Sequence, residues 1–259
     1  MRNLFRSFER FGVDYLLISG QASILYGAAT FSEDVDVWIR PSRVNVRRTL
    51  SALASRRARV HKLTPPLEVR FLRAGHGFHF IIPGRPLPVY LDLMGSPPRV
   101  RPFAECRRRS RLLDTDWGWI PVVAIEDLIA LKKTRRFNDY EVISNLVSVR
   151  LSETDRLSRR LLRWAARNTF RAEDRAMLLR RLGEPISLAR CRSDIAREVE
   201  TLQARDAHYW RSRIAELRRL HRAGKLWAEG TPVSDLLTPK WRSRRTGSIR
   251  KSGAIESSR

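Results

Sequence analysis

The chain has 259 residues, 42% of them apolar, and carries 51 Lys and Arg against 27 Asp and Glu, a formal net charge of +24. That length and apolar content exclude a chain disordered throughout and suffice for one large domain or two modest ones with a real core. The longest apolar runs, such as "YLLI" and "FIIP", are too short to cross a bilayer, and Cys106 and Cys191 lack the spacing of a zinc site or a disulfide framework.

Such a charge balance predicts a polyanionic partner, most simply nucleic acid. The excess is spread along the chain, with 23 basic and 12 acidic side chains in residues 1–135 and 28 and 15 in residues 136–259. The N-terminal stretch "MRNLFRSFERFG" has charges throughout and reads as an amphipathic helix, not a secretion signal. With two distant cysteines, this fits a reducing cytoplasm.

In chain order, "DYLLIS" (14–19) reads as a buried strand, broken by Gly20 and followed by a short helix, "QASILYG" (21–27). "EDVDVWI" (33–39) is a second strand with period-two alternation. Pro41 and Ser42 open the helix "SRVNVRRTLSALAS". Three strands are expected next, "LEVRFL" (67–72), "GFHFII" (77–82) and "VYLDLM" (89–94), then two more around 107–114 and 117–123, then the helix "IEDLIALKKT" (125–134). Trp117 and Trp119 are expected in the core, and His76 and His79 as surface or packing residues. The first half is therefore α+β, a mixed β-sheet with flanking helices.

After about residue 136 the strand signals stop. "SETDRLSRRLLRWAARN" and "AEDRAMLLRRLG" read as helices, the second stopped by Gly183 and Pro185. "SDIAREVETLQARDAHYWRSRIAELRRLHRAG" reads as one long helix whose stripe from Ile195 to Leu220 should pack on the helical region. From about Pro239 the chain is basic, rich in small residues and expected to be disordered. The expected organisation is 1–140, 141–235 as a helical C-terminal domain, and 236–259 as a basic tail.

The chemistry concentrates where Asp34 and Asp36 interrupt an apolar strand. Alternate strand residues share a face, so these carboxylates should project together, ~6.6–6.8 Å apart along the strand. Like charges there repel unless something neutralises them, and carboxylates so placed suit Mg²⁺, which takes a few carboxylates plus substrate phosphates. Asp92, alone in "VYLDLM", is the candidate third ligand. Upstream, Ser19 and Gly20 follow a strand and open a helix, an arrangement that suits a phosphate. Neither a GxxxxGK[ST] loop nor a GxGxxG fingerprint is present.

The segments "SGQASILYGAATFSEDVDV" and "EDLIALKKTRRFND" resemble the DNA-polymerase-β-like nucleotidyltransferase superfamily, with the closer likeness to minimal bacterial and toxin-type members. The likeness covers about residues 12–140. It implies a two-metal Mg²⁺ site (Mn²⁺ being an option) on Asp34, Asp36 and Asp92, with Asp92 also activating the attacking hydroxyl. It implies triphosphate binding by Ser19 and Gly20, and a phosphate contact from Lys132, with Lys133 able to substitute. Arg136 and Asp139 match the family's closing R-x-x-D. Ser19 departs from the family's first glycine, and Thr30 stands where an arginine is common. The implied function is transfer of an NMP from an NTP to an acceptor hydroxyl, RNA and in particular tRNA being favoured by charge, with a cognate antitoxin chain as a further partner. The alternatives are a small-molecule or protein hydroxyl as acceptor, and a non-catalytic module that holds nucleic acid or a partner chain.

Overall fold

Four consecutive apolar residues, Tyr15 to Ile18, are all buried, as befits a strand in the middle of a sheet covered on both faces. The computed structural model of the chain describes residues 1–237, so the tail expected to begin near Pro239 lies outside the described residues. In chain order the elements are α1 (Arg2–Arg10), β1 (Tyr15–Ile18), α2 (Ser19–Leu25), β2 (Val35–Ile39), α3 (Arg43–Ser55), β3 (Arg59–Val60), α4 (Val69–Arg73), β4 (Gly77–Ile82), β5 (Val89–Met94), α5 (Phe103–Arg109), β6 (Arg111–Thr115), β7 (Gly118–Val122), α6 (Ile125–Lys132), α7 (Asn138–Ser152), α8 (Arg159–Asn168), α9 (Ala172–Leu182), α10 (Leu188–Arg222) and α11 (Val233–Leu237). Among the described residues, no helix is long and apolar enough to cross a membrane.

The seven strands form one sheet in the order β3-β4-β5-β2-β1-β7-β6. The β2–β5 and β1–β7 pairs are parallel and the others antiparallel, so the sheet is mixed and the fold is α+β. The interior strands β1, β2 and β5 supply much of the core, and Trp38 is fully buried on β2 with its indole N–H donating to the Gly95 carbonyl at 2.9 Å. On one flank, Phe5 and Phe8 of α1 pack against Tyr15, and Phe5 also stacks on Trp117. Gly95 closes β5 against α4. A Cβ there would collide with Leu72, including its Cα at 2.9 Å, so Gly95→Ala should destabilise the fold by about 1–3 kcal/mol, read as a lower denaturant midpoint with an unchanged slope.

Several expected elements differ. Residues 67–72 are not a strand: the alternation in "LEVRFL" gives way to the short helix α4, whose Phe71 and Leu72 both enter the core. The strand expected around 107–114 is split between α5 and β6. The helix expected from "SETDRLSRRLLRWAARN" begins only at Arg159, capped by the Ser158 hydroxyl, while the preceding α7 went unanticipated. Trp117 packs on the core as expected, but Trp119 is 63% exposed on the outer hairpin β6–β7.

The long helix α10 returns across the sheet and is pinned there. The buried Asp206 carboxylate accepts from Arg99 at 2.8 Å and from the Arg135 backbone N–H at 3.2 Å. Arg213 stacks on Tyr209 and donates to the Ala74 carbonyl, and Glu216 meets the buried His76 at 2.7 Å. The expected stripe is thus divided. Val199, Leu202 and Leu220 pack on the core, whereas Ile214 and Leu217 face a cavity. Beyond α10 the chain comes back to the sheet edge, where Thr64 bridges Trp227 and Arg59 bridges Pro232.

Candidate active site

Asp36 and Asp92 are direct neighbours across the parallel β2–β5 pair, in register as Cα partners. Each is the polar interruption of an apolar strand, so the pairing of two interior strands puts two half-buried carboxylates side by side. They lie at the floor of a cavity of about 350 Å³, with Ser19, Arg135 and Arg136 on one side and Trp210 and Ile214 of α10 on another. Loss of hydration and the neighbouring Asp92 push the Asp36 carboxyl up to about 6, against the pull of the Ser19 hydroxyl and Arg136.

Asp34 is not in the strand. β2 begins at Val35, and Glu33 and Asp34 form the bend that leads into it. Asp34 thus stands one residue before the strand that carries Asp36, and it is not among the residues that line the cavity. Its carboxyl is still shifted up, first by burial and then by Asp92, so the three charges feel one another.

Ser19 is the first residue of α2 and has a positive φ of 59°, a conformation that is uncommon outside glycine. The chain turns there from β1 into α2 so abruptly that the hydroxyl reaches across to Asp36. Gly20, one residue on, has the Ser32 hydroxyl and Cβ where its own Cβ would be. Ser32 in turn donates to the Asp34 carbonyl at 3.1 Å. The glycine thus lets the loop that carries Asp34 lie against α2.

Lys132 lines the cavity, but it is buried and its ammonium is held at 3.0 Å by the buried Asp139. Asp139 also accepts from the Thr134 hydroxyl at 2.6 Å and from Arg136 at 3.0 Å. A phosphate at Lys132 would have to share the ammonium with Asp139. Lys133 instead donates to the Asn168 side chain. The cations that rim the cavity without a buried carboxylate of their own include Arg135, and Arg136 is 66% exposed despite its bond to Asp139.

His79 is the residue that the sequence reading did not bring to the site. It pairs with Asp92 across β4–β5, and its Nδ1 hydrogen-bonds the Asp92 Oδ1 at 2.7 Å. Its position in "GFHFII", alternating with buried Phe78 and Phe80, marks it as a residue of the other face, the face that carries Asp92.

Oxygen donors that repel one another suit a hard divalent cation. Among the described residues, no group of three or more His, Cys, Asp or Glu side chains is gathered so that it could hold a metal ion. The in-register pair fits an open Mg²⁺ site, since Mg²⁺ keeps several waters and takes one or two carboxylates plus substrate phosphates.

No family model matches the chain, and no curated protein matches it significantly. Solved structures that share its outline include a proposed nucleotidyltransferase from Thermotoga maritima, at 14% identity over 59% of this chain and 85% of that one, with a TM-score of 0.37. Another is a proposed nucleotidyltransferase from H. pylori, at 12% identity over 80% of this chain and 93% of that one, with a TM-score of 0.42. A third is ANT(2″)-Ia in complex with adenylyl-2″-tobramycin, at 12% identity over 82% of this chain and 95% of that one, with a TM-score of 0.35. At these identities and scores the likeness is one of outline, and no residue role is taken from it.

Proposed function

We propose that the protein is a Mg²⁺-dependent nucleotidyltransferase that moves an NMP from an NTP onto an acceptor hydroxyl, with RNA, and tRNA first, as the acceptor in a toxin-like role. The observation that carries the reading is the pair Asp36 and Asp92, in register on adjacent strands at the floor of a cavity rimmed by arginine. The family resemblance of residues 12–140 points to the same chemistry, and the net charge of +24 favours a polyanionic acceptor.

Asp36 and Asp92 would hold the metal, with Asp34 alongside. The bound ion would supply neutralisation of the charge on the transferring phosphoryl group. The Ser19 hydroxyl favours the ionised form of Asp36. Asp92 is the base to which an acceptor hydroxyl would give its proton, and His79 fixes that carboxylate's orientation. Arg135 and Arg136 offer guanidiniums to the triphosphate.

The test is to incubate the protein with each α-³²P-labelled NTP, Mg²⁺ and total tRNA. Label is expected on tRNA with at least one NTP and none in excess chelator. Label on a small molecule or on the protein alone would keep transfer and remove the RNA acceptor. No metal-dependent label with any NTP, on any acceptor, would sink the proposal. In the same assay His79→Ala should slow transfer about 10–100-fold, as loss of a partner that orients a ligating carboxylate does. Its melting temperature should stay close to that of the wild type, and an unchanged transfer rate would remove His79 from the mechanism.

A further inference from the structure

Some arginines of the C-terminal helices are tied to carboxylates. Arg190 and Arg197 share Asp194, Arg192 reaches Glu173, and Arg175 is held by Glu198. Others, among them Arg180 and Arg181 of α9 and Arg211, Arg218 and Arg222 of α10, have no carboxylate within ion-pair distance among the described residues; what α8 adds is a row of arginines beside a tryptophan. Its sequence "RRLLRWAARN" buries Leu162, Ala165 and Ala166 and turns Arg160, Arg163 and Arg167 outward. Residues three and four apart share a helix face, so these three form one row, ~4.5 and ~6 Å apart along the axis.

The row is only weakly paired, although Glu184, Asp194 and Glu198 line a further concavity with Arg163 and Arg167. Among the described residues, Arg160 and Arg167 have no carboxylate within ion-pair distance, and Arg163 has only Glu184 at 3.9 Å, with both side chains more than half exposed. Arg156, in the loop before α8, is exposed and has no carboxylate partner either. Asp155 lies beside Arg156 in that loop, and Glu126, which lines a concavity with Arg156 and Arg160, is bonded to Arg150. Trp164 sits within the row and is half-buried. With Arg160, Arg163 and Arg167 it lines a surface concavity of about 470 Å³, and with Arg156 and Arg160 a second of about 400 Å³. No residue of α8 lines the cavity that holds Asp36 and Asp92.

Guanidiniums present a planar fork that matches phosphate oxygens, and an indole offers a face on which a base can stack. An acidic peptide would use the first feature and not the second. We infer that the α8 face is a docking surface for the phosphodiester backbone of a single nucleic-acid strand, with Arg160, Arg163 and Arg167 on its phosphates and Trp164 beside a base. The inference stands on α8 alone. The bound strand is also the acceptor only if the transfer activity proposed above holds.

The experiment measures fluorescence anisotropy of a labelled 20-nucleotide RNA, and of a DNA of the same sequence, over a range of salt. The wild type is compared with Arg160→Glu/Arg163→Glu/Arg167→Glu and with a charge-matched control, Arg6→Glu/Arg43→Glu/Arg47→Glu, on α1 and α3. Thermal melts establish that both variants fold. Reversing the row should weaken binding roughly tenfold or more and flatten the salt slope by about 2, near 0.7 for each of three phosphates. The control should lose much less. Either strand lost on reversing the row supports the assignment; RNA held more tightly than DNA identifies RNA as the strand read, and the two held equally identifies a surface that reads the backbone alone. No binding by the wild type, equal losses in the two variants, or displacement of RNA by polyglutamate as readily as by unlabelled RNA would overturn it. Asp36→Asn should bind RNA like the wild type, so a failure of transfer and a failure of docking are separable.

Discussion

Asp36→Asn is expected to lower nucleotidyl transfer about a thousandfold and, in metal-free protein near neutral pH, to raise the melting temperature. The first effect follows from the several kcal/mol that a bound divalent ion contributes to a phosphoryl-transfer transition state, each 1.36 kcal/mol being tenfold in rate. The second follows from electrostatics. Burial and Asp92 raise the Asp36 carboxyl from 3.8 to about 6 in the folded protein. The folded state therefore binds this proton more tightly than the unfolded state. Stability falls as pH rises from 3.8 towards about 6, by about 3 kcal/mol at most, and stays lower above that window. Asparagine keeps the shape without the charge and escapes that penalty. Melts at pH 5 and pH 8, in chelator and in Mg²⁺, check this. The gap in favour of Asn should open at pH 8 in chelator. Mg²⁺ should then raise the wild type and leave the Asn variant unmoved. Equal melting temperatures at pH 8 in chelator would remove the charge penalty, and an equal response to Mg²⁺ would exclude a metal at Asp36.

Asp36 and Asp92 were legible in the sequence because each is a lone carboxylate in a strand of large apolar residues, and burying a charge demands a reason. Their adjacency was not legible, because it depends on β2 and β5 pairing in parallel across an intervening α3, β3, α4 and β4. His79 stayed hidden for the same reason: its role is a cross-strand contact set by register, and "GHGFHF" says nothing about which strand lies opposite. The strand begins at Val35, two residues after the expected Glu33, since the alternation in "EDVDVWI" begins before the hydrogen-bonded ladder does. Helix α7 buries Tyr140, Ile143 and Val147 at helical spacing and exposes Glu141 and Ser148, but the polar Asp139 and Ser144 lie on its buried face and blur the 3.6-residue signal. The apolar stripe of α10 was visible, but a stripe does not say whether it meets a core or walls a cavity. Ile214 and Leu217 do the second.

Asp139→Ala is expected to destabilise the fold by about 3–5 kcal/mol, the loss typical of removing one partner of a buried ion pair. Asp139 and Lys132 are each less than 9% exposed, and the 3.0 Å contact joins the last turn of α6 to the first turn of α7. Burial by itself would push the Asp139 carboxyl up. Lys132, the Thr134 hydroxyl and Arg136 outweigh it and hold the carboxyl below its ordinary 3.8. The contribution of Asp139 to stability is thus present above that value and fades as pH falls through the lower folded value. For a domain of this size the alanine variant should melt about 10 °C lower at pH 7. The damage comes mainly from stranding a buried ammonium, so Lys132→Met in the same chain should return much of the loss. A double-mutant cycle by chemical denaturation at pH 7 checks this. If Asp139→Ala/Lys132→Met is as unstable as the sum of the single variants, Lys132 and Asp139 are not coupled and the α6–α7 joint is held by other contacts. If the double variant recovers stability but loses transfer, Lys132 serves the nucleotide as well as the fold, and Asp139 is what aims it at the cavity.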